Sequence, residues 1–225
     1  MMPASLAANL CRLLAGPVLA VVLGLAPALV RANGERAGDF DYFVLSLSWS
    51  PTWCALEGDA RNSPQCTEDK DFGWVLHGLW PQYEEGYPAY CPSSKRPPSR
   101  SMTGEMADIM GAPGVAWHQW KKHGTCVGVE ARDYYGLMRL AYGKINRPQV
   151  LRDLGRDVRL PASVVEEAFL EANPGLKRDQ ITITCRSGRI QEARICLDME
   201  LKPRRCGDDV IRDCRAKDAL LDRIR

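Results

Sequence analysis

Nine cysteines set the terms on which this chain can fold. Cys11 sits inside an N-terminal stretch that reads as an export leader: after Arg12, residues 13–30 carry no charge, and Ala26-Pro27-Ala28 offers a small-x-small cleavage pattern, with a second stop at Ala32. Gly16, Pro17, Gly24 and Pro27 weaken the alternative of a membrane-spanning helix. Cleavage after Ala28 or Ala32 is therefore expected, leaving residues 33–225 as one domain without stable membrane association. That domain keeps eight cysteines, Cys54, Cys66, Cys91, Cys126, Cys185, Cys196, Cys206 and Cys214, an even number that suits four disulfides in an oxidising compartment. No C-x-x-C pair occurs, which argues against a zinc ribbon or a thioredoxin-like redox site. Spacing leaves roughly a hundred pairings open. Cys54 and Cys66 bracket a short polar loop, and the last four cysteines fall in strand-like and turn-like sequence that nested bridges could staple.

A chain of 225 residues with 45% hydrophobic and 26% charged residues can bury a real core, and its scattered Gly and Pro show no period. Disorder, collagen, coiled coil and repeat arrays are excluded. Removing residues 1–32 takes away Arg12 and Arg31 and no acid, so 28 basic residues face 28 acidic ones. A nucleic-acid partner must then be recognised by a local site, because no global basic field exists.

Residues 40–49 alternate as a strand, with Phe43, Leu45, Leu47 and Trp49 on one face and Tyr42, Val44, Ser46 and Ser48 on the other, ended by Pro51. Residues 73–80 read as a second apolar strand stopped at Pro81, followed by a loop rich in Gly, Pro, Ser and Tyr to about Arg100. Helical character is expected from about Thr103, over 115–123, over 131–145 and over 162–172 behind Pro161. Residues 180–186 and 189–199 read as strands joined at Ser187-Gly188. The mixture is α+β, not alternating βαβ.

The chain has three histidines, His77, His118 and His123. Two fall within Trp117-His118-Gln119-Trp120-Lys121-Lys122-His123-Gly124-Thr125-Cys126. General acid–base work at ordinary pH needs imidazoles gathered in one place. On an α-helix, His118, Lys122, Gln119 and His123 fall at roughly 0°, 40°, 100° and 140°, a polar face suited to an anion. Trp117 and Trp120 are expected to anchor its back, and Cys126 to cross-link it. A solvated surface is the plainer alternative for such a face, and the two tryptophans with Cys126 argue against it. His77 lies in Trp74-Val75-Leu76-His77-Gly78-Leu79-Trp80-Pro81, where a lone histidine is commonly a core residue. Gly78 permits close approach of another group, and Trp80, Tyr83 and Tyr87 supply aromatic faces on which a base could stack.

These two blocks, with Phe40-Asp41-Tyr42-Phe43 through Trp53-Cys54 ahead of them, resemble the active-site segments and opening strand of the ribonuclease T2 family of secreted, metal-independent endoribonucleases. The resemblance covers most of residues 33–225 and is closest to bacterial members. It implies a single disulfide-stapled domain with a central antiparallel sheet flanked by helices. It also implies cleavage of single-stranded RNA with low base specificity, by 2′-OH attack through a 2′,3′-cyclic phosphate to 3′-phosphate ends. By matched position, His123 is the general base, His77 protonates the leaving 5′-oxygen, His118 and Lys122 stabilise the phosphate, and Trp80 helps seat a base. Implied too are the pairs Cys91 with Cys126, Cys185 with Cys214 and Cys196 with Cys206, which leave Cys54 with Cys66. No cofactor and no metal are implied, and RNA is the partner of a monomer.

One departure stands out, because the family usually has glutamate where this chain has Gln119. An amide can hydrogen-bond a phosphate oxygen but cannot relay a proton, so an active enzyme with a shifted pH profile is expected. The alternative is a catalytically silent member that binds RNA or protein. A reading of the three histidines as zinc ligands is disfavoured, since His118 and His123 are five apart and no H-E-x-x-H exists. The short leader, the absence of an N-x-S/T sequon in residues 33–225 and the strand Leu45-Ser46-Leu47-Ser48-Trp49-Ser50-Pro51 resemble bacterial members, so a periplasmic protein is expected ahead of a fully secreted one.

Overall fold

The computed structural model describes residues 35–225; the leader, both cleavage positions and Cys11 lie outside the described residues. In chain order the elements are β1 (Tyr42–Trp49), α1 (Ser50–Trp53), β2 (Trp74–Gln82), α2 (Arg100–Glu105), α3 (Ala107–Met110), α4 (Pro113–Gln119), α5 (Thr125–Val127), α6 (Ala131–Lys144), α7 (Gln149–Arg152), β3 (Val158–Leu160), α8 (Ala162–Ala172), β4 (Ile181–Arg186), β5 (Arg189–Leu197) and β6 (Ala219–Leu221). A turn of π-helix, Trp120–Gly124, joins α4 to α5, and another, Cys54–Gly58, follows α1.

The fold is α+β, with a six-stranded sheet in the order β2-β1-β5-β6-β3 and β4 also paired to β5. All pairings are antiparallel except β5 with β6, a single parallel register pair at Arg189 and Leu220, so the expected antiparallel sheet is strictly a mixed one. The exception is a short C-terminal strand that returns to the sheet along β5.

The alternation of β1 places Phe43, Leu45, Leu47 and Trp49 in the main core, where they meet Tyr134 and Met138 of α6, Val165 and Phe169 of α8, and Ile181, Ile183, Ala193 and Ile195 of β4 and β5. Each such side chain contributes on the order of 2 kcal/mol of apolar burial. Helix α6 buries Tyr134, Tyr135, Met138 and Ala141, the i, i+1, i+4, i+7 stripe of a helix packed on one side. The other face of the sheet carries a smaller apolar cluster of Tyr42, Val44, Cys196, Cys206 and Val210.

Two local expectations need correction. Strand β2 continues through Pro81 to Gln82, with Pro81 opposite Phe43. A proline is tolerated there because β2 is an edge strand whose outer side needs no ladder donor. Strand β5 stops at Leu197, not Met199. The turn at Ser187-Gly188 forms as expected, with both residues at positive φ (51° and 72°) in the manner of a tight hairpin turn. Four disulfides close the chain: Cys54–Cys66, Cys91–Cys126, Cys185–Cys214 and Cys196–Cys206, the pairs that the resemblance implies.

Candidate active site

A break in the ladder between β1 and β2 sets the position of His77. Ser46 pairs with Gly78 and Leu47 with Leu76, so His77 has no cross-strand partner and forms a β-bulge. The bulge changes the phase of the strand: Trp74, Leu76 and Leu79 all enter the core, a step of two and then of three, while His77 and Trp80 stay half-buried on the opposite face. There they line a cleft of about 560 Å³ together with Tyr87, His118, Gln119, Lys122 and His123.

The second block comes to this cleft along the edge of β2, with which α4 and the π turn are in contact. The π turn, closed through i to i+5 bonds, carries Lys122 and His123, and His118 precedes it on α4; all three line the cleft. Trp120 is the anchor, 2% exposed and packed near Tyr134, whose hydroxyl donates to the Leu79 carbonyl at 2.9 Å. Trp117 is no second anchor, since it lies on the outer side of α4 and is 39% exposed. The loop after β2 is fastened to the same turn by the Cys91–Cys126 bridge and by the Tyr90 N–H, which donates to the Lys122 carbonyl at 2.8 Å.

Trp80 is the hub of the site. His123 stacks on its ring at 5.3 Å, His77 meets it edge-on at 5.3 Å, and the Arg194 guanidinium lies 5.3 Å from its centroid. Its indole N–H donates to Gln119 Oε1 at 2.7 Å. Gly78 makes this possible, since a Cβ there would come within 2.2 Å of that oxygen. Tyr87 is half-exposed, 6.3 Å from the His123 ring and 5.6 Å from Lys122 Nζ, which leaves a free aromatic face in the cleft. Tyr83 is not brought to the cleft. It follows the end of β2, where alternation sends Trp80 and Gln82 inward, and its N–H turns back to the Gly86 carbonyl at 2.9 Å. Burial, then Asp39, Glu35 and Asp41, push its phenol above the usual range.

The three site histidines sit in different surroundings. His123 is 3% exposed and its Nδ1 has no partner. Burial, reinforced by Lys122, His77 and His118, pushes its imidazole down to about 3, so it is neutral at mildly acidic pH. His118, exposed on the rim, is lowered by partial burial and by Lys122 and Lys121. His77 instead donates Nδ1–H to Glu192 Oε1 at 2.7 Å. Burial alone would raise the Glu192 carboxyl, but hydrogen bonds and charge from His77 and Arg194 outweigh it and hold the group down to about 2.

Glu192 and Arg194 are the groups that sequence reading missed. They come from β5 and reach the cleft across β1, where Ser48 stands opposite Glu192 and Ser46 opposite Arg194. The one available signal was an acid and a base two residues apart on one face of a strand that also carries Arg189 and Gln191. Among the described residues, the groupings close enough to hold a metal contain no histidine, and each includes cysteines already joined in a disulfide.

A family model for the ribonuclease T2 family matches residues 40–206, a stretch that contains every one of these cleft residues up to Arg194. The chain belongs to the ribonuclease T2 family. Within it, the chain is 43% identical over 124 residues to a ribonuclease of Aeromonas hydrophila, covering 53% of this chain and 54% of that protein. It is 29% identical over 129 residues to a probable ribonuclease of Haemophilus influenzae, covering 52% and 47%. The matched stretch thus spans about half the length of the curated relatives. The ribonuclease T2 fold is also that of trichomaglin, described as a novel S-like ribonuclease, at a TM-score of 0.66 and 22% identity over 83% of this chain and all of that one.

Proposed function

We propose that this chain is an endoribonuclease that cleaves single-stranded RNA, with little discrimination among bases, by transferring the phosphate to the neighbouring 2′-OH. The observation that supports this most is the pair of histidines set against one tryptophan ring in different surroundings, His123 buried and neutral, His77 hydrogen-bonded to a carboxylate. Family membership and the ribonuclease relatives support it as well.

His123 takes the proton of the ribose 2′-OH, which attacks phosphorus, and His77 protonates the departing 5′-oxygen. The negative charge that builds on the phosphate is met by Lys122 and His118, with the Gln119 amide beside them. A 2′,3′-cyclic phosphate results. Water opens it to a 3′-phosphate by the same two groups with their roles reversed. These steps call on no cofactor and no metal, and one chain carries every group they need, so it acts as a monomer. The Tyr87 ring offers a stacking face for a base, and Trp80 shapes the wall behind it. Stacking accepts any base, in keeping with low specificity. Four disulfides fit an oxidising compartment, and we place residues 33–225 in the periplasm or outside the cell after removal of residues 1–32.

Incubating the protein in EDTA with a short RNA and its all-deoxy counterpart tests the reading. Cleavage confined to RNA, with cyclic-phosphate ends, is expected, because DNA lacks the attacking hydroxyl. Binding without cleavage from acidic to neutral pH would refute it in favour of a silent RNA-binding protein.

A further inference from the structure

The carboxylate that touches a histidine in this site does not come from either active-site block. Gln119, on the helical block, spends its side-chain oxygen on the Trp80 indole. Glu192, two strands away from β2 in the sheet, places Oε1 2.7 Å from His77 Nδ1 and is itself 2% exposed. Its surroundings hold it there: Ser48 Oγ donates to Oε1 at 3.3 Å, and Arg194 donates to Oε2 through Nε at 2.9 Å and through its terminal nitrogen at 2.7 Å. The small Ser46 and Ser48 on the intervening β1 leave room for His77 and Glu192 to meet above that strand. Burying a charged carboxylate is costly unless it is paired and hydrogen-bonded, and both conditions are met here.

We propose that Glu192 is a positioning residue for the leaving-group acid, fixing the His77 ring so that Nδ1–H is committed to the carboxylate and Nε2 carries the transferable proton. This rests on the reading of His77 as the acid in RNA cleavage. In the first step the His77 imidazolium gives its Nε2 proton to the 5′-oxygen as the P–O5′ bond breaks, and is left neutral with Nδ1–H still bonded to Glu192. In the second step Nε2 takes a proton from the water that attacks the cyclic phosphate, and the imidazolium is restored. Glu192 stays anionic throughout, because Arg194 occupies its other oxygen. Such an arrangement fixes tautomer and orientation and stabilises the imidazolium form. It supplies from β5 a carboxylate that the helical block, with Gln119, does not.

The test compares two substrates. One is a dinucleotide whose nucleoside leaving group needs a proton; the other is a nucleoside 3′-(4-nitrophenyl phosphate), whose leaving group departs without one. Wild type, Glu192→Gln, Glu192→Asp and His77→Ala are assayed for kcat and KM. Glu192→Gln is expected to lower kcat on the dinucleotide by roughly a hundredfold with little change in KM, and to change the nitrophenyl substrate by less than about threefold. Glu192→Asp keeps the buried charge beside Arg194, and hence the fold, but draws the oxygen back from His77; a smaller loss with the same split between substrates is expected. Equal losses on both substrates in these variants, or no loss on the dinucleotide, would overturn the inference. The His77→Ala control distinguishes a failure of Glu192 from a failure of the acid itself: if it spares the dinucleotide, the assignment of His77 as the acid fails, and the role of Glu192 falls with it.

Discussion

At His123 the chemistry is decided by where one ring sits. An imidazole in water is half-charged near neutrality, but this one is stacked on Trp80, 3% exposed and beside Lys122, and it is pushed down to about 3. A general base must be unprotonated to work, and in that proposed role His123 stays unprotonated as the pH falls from 7 to about 4. The rate at low substrate is therefore expected to hold up through pH 5 and to fall only as the solution approaches pH 3. A profile of kcat/KM against pH checks this; an acid limb near pH 6 in wild type would contradict it. The positions of His77, His118, Gln119, Lys122 and His123 were legible as two short blocks of sequence. The burial that sets the charge of His123 was not, because burial depends on the sheet and on Trp80, which lies forty-odd residues earlier in the chain.

Two irregular elements bring those residues into reach of one another. A regular β2 would have turned Leu79, not Trp80, to the face of His77, and the bulge at His77 puts Trp80 there instead. The π turn at Trp120–Gly124 shifts the helical phase ahead of His123, after His118 on α4. Neither leaves a compositional mark, so a reading by period sees a plain strand and a plain helix. What the sequence did show was Cys126 just past the turn, and its bridge to Cys91 fastens the loop after β2 to it. Replacing both cysteines by serine is expected to lower stability by about 4 kcal/mol, since the bridge closes a loop of 35 residues. Activity should fall further than stability at a temperature where the variant is still folded, because Tyr87 lies in the released loop. Denaturant unfolding alongside kcat/KM measures the two separately; full activity in the folded double variant would show that the bridge serves stability alone.

For the molecule as a whole, the sheet divides structure from chemistry. One face holds the core against α6 and α8, and the other carries the cleft, floored by β1, β2 and β5. The alternation of β1 made the core face readable, and the α+β class followed from the order of periodic segments. The contribution of β5 to the cleft was hidden, since strand order in a sheet is not written in local sequence: it is the β1–β5 ladder, with Ser48 opposite Glu192 and Ser46 opposite Arg194, that shows the two strands to be neighbours. With 28 basic and 28 acidic residues in positions 33–225, attraction for the proposed RNA substrate would fall to the few cations at the cleft, Lys122, Arg194 and Arg212 among them. In the proposed reaction, two histidines brought together by two different parts of the chain divide the proton transfers between them. The most direct test of that division follows the ends of a short RNA over time, in EDTA, with wild type, His77→Ala and His123→Ala, each verified as folded. Wild type should accumulate 2′,3′-cyclic phosphate and then 3′-phosphate, with both variants slowed by at least about a hundredfold. Retention of near-full cleavage by either folded variant would contradict the account.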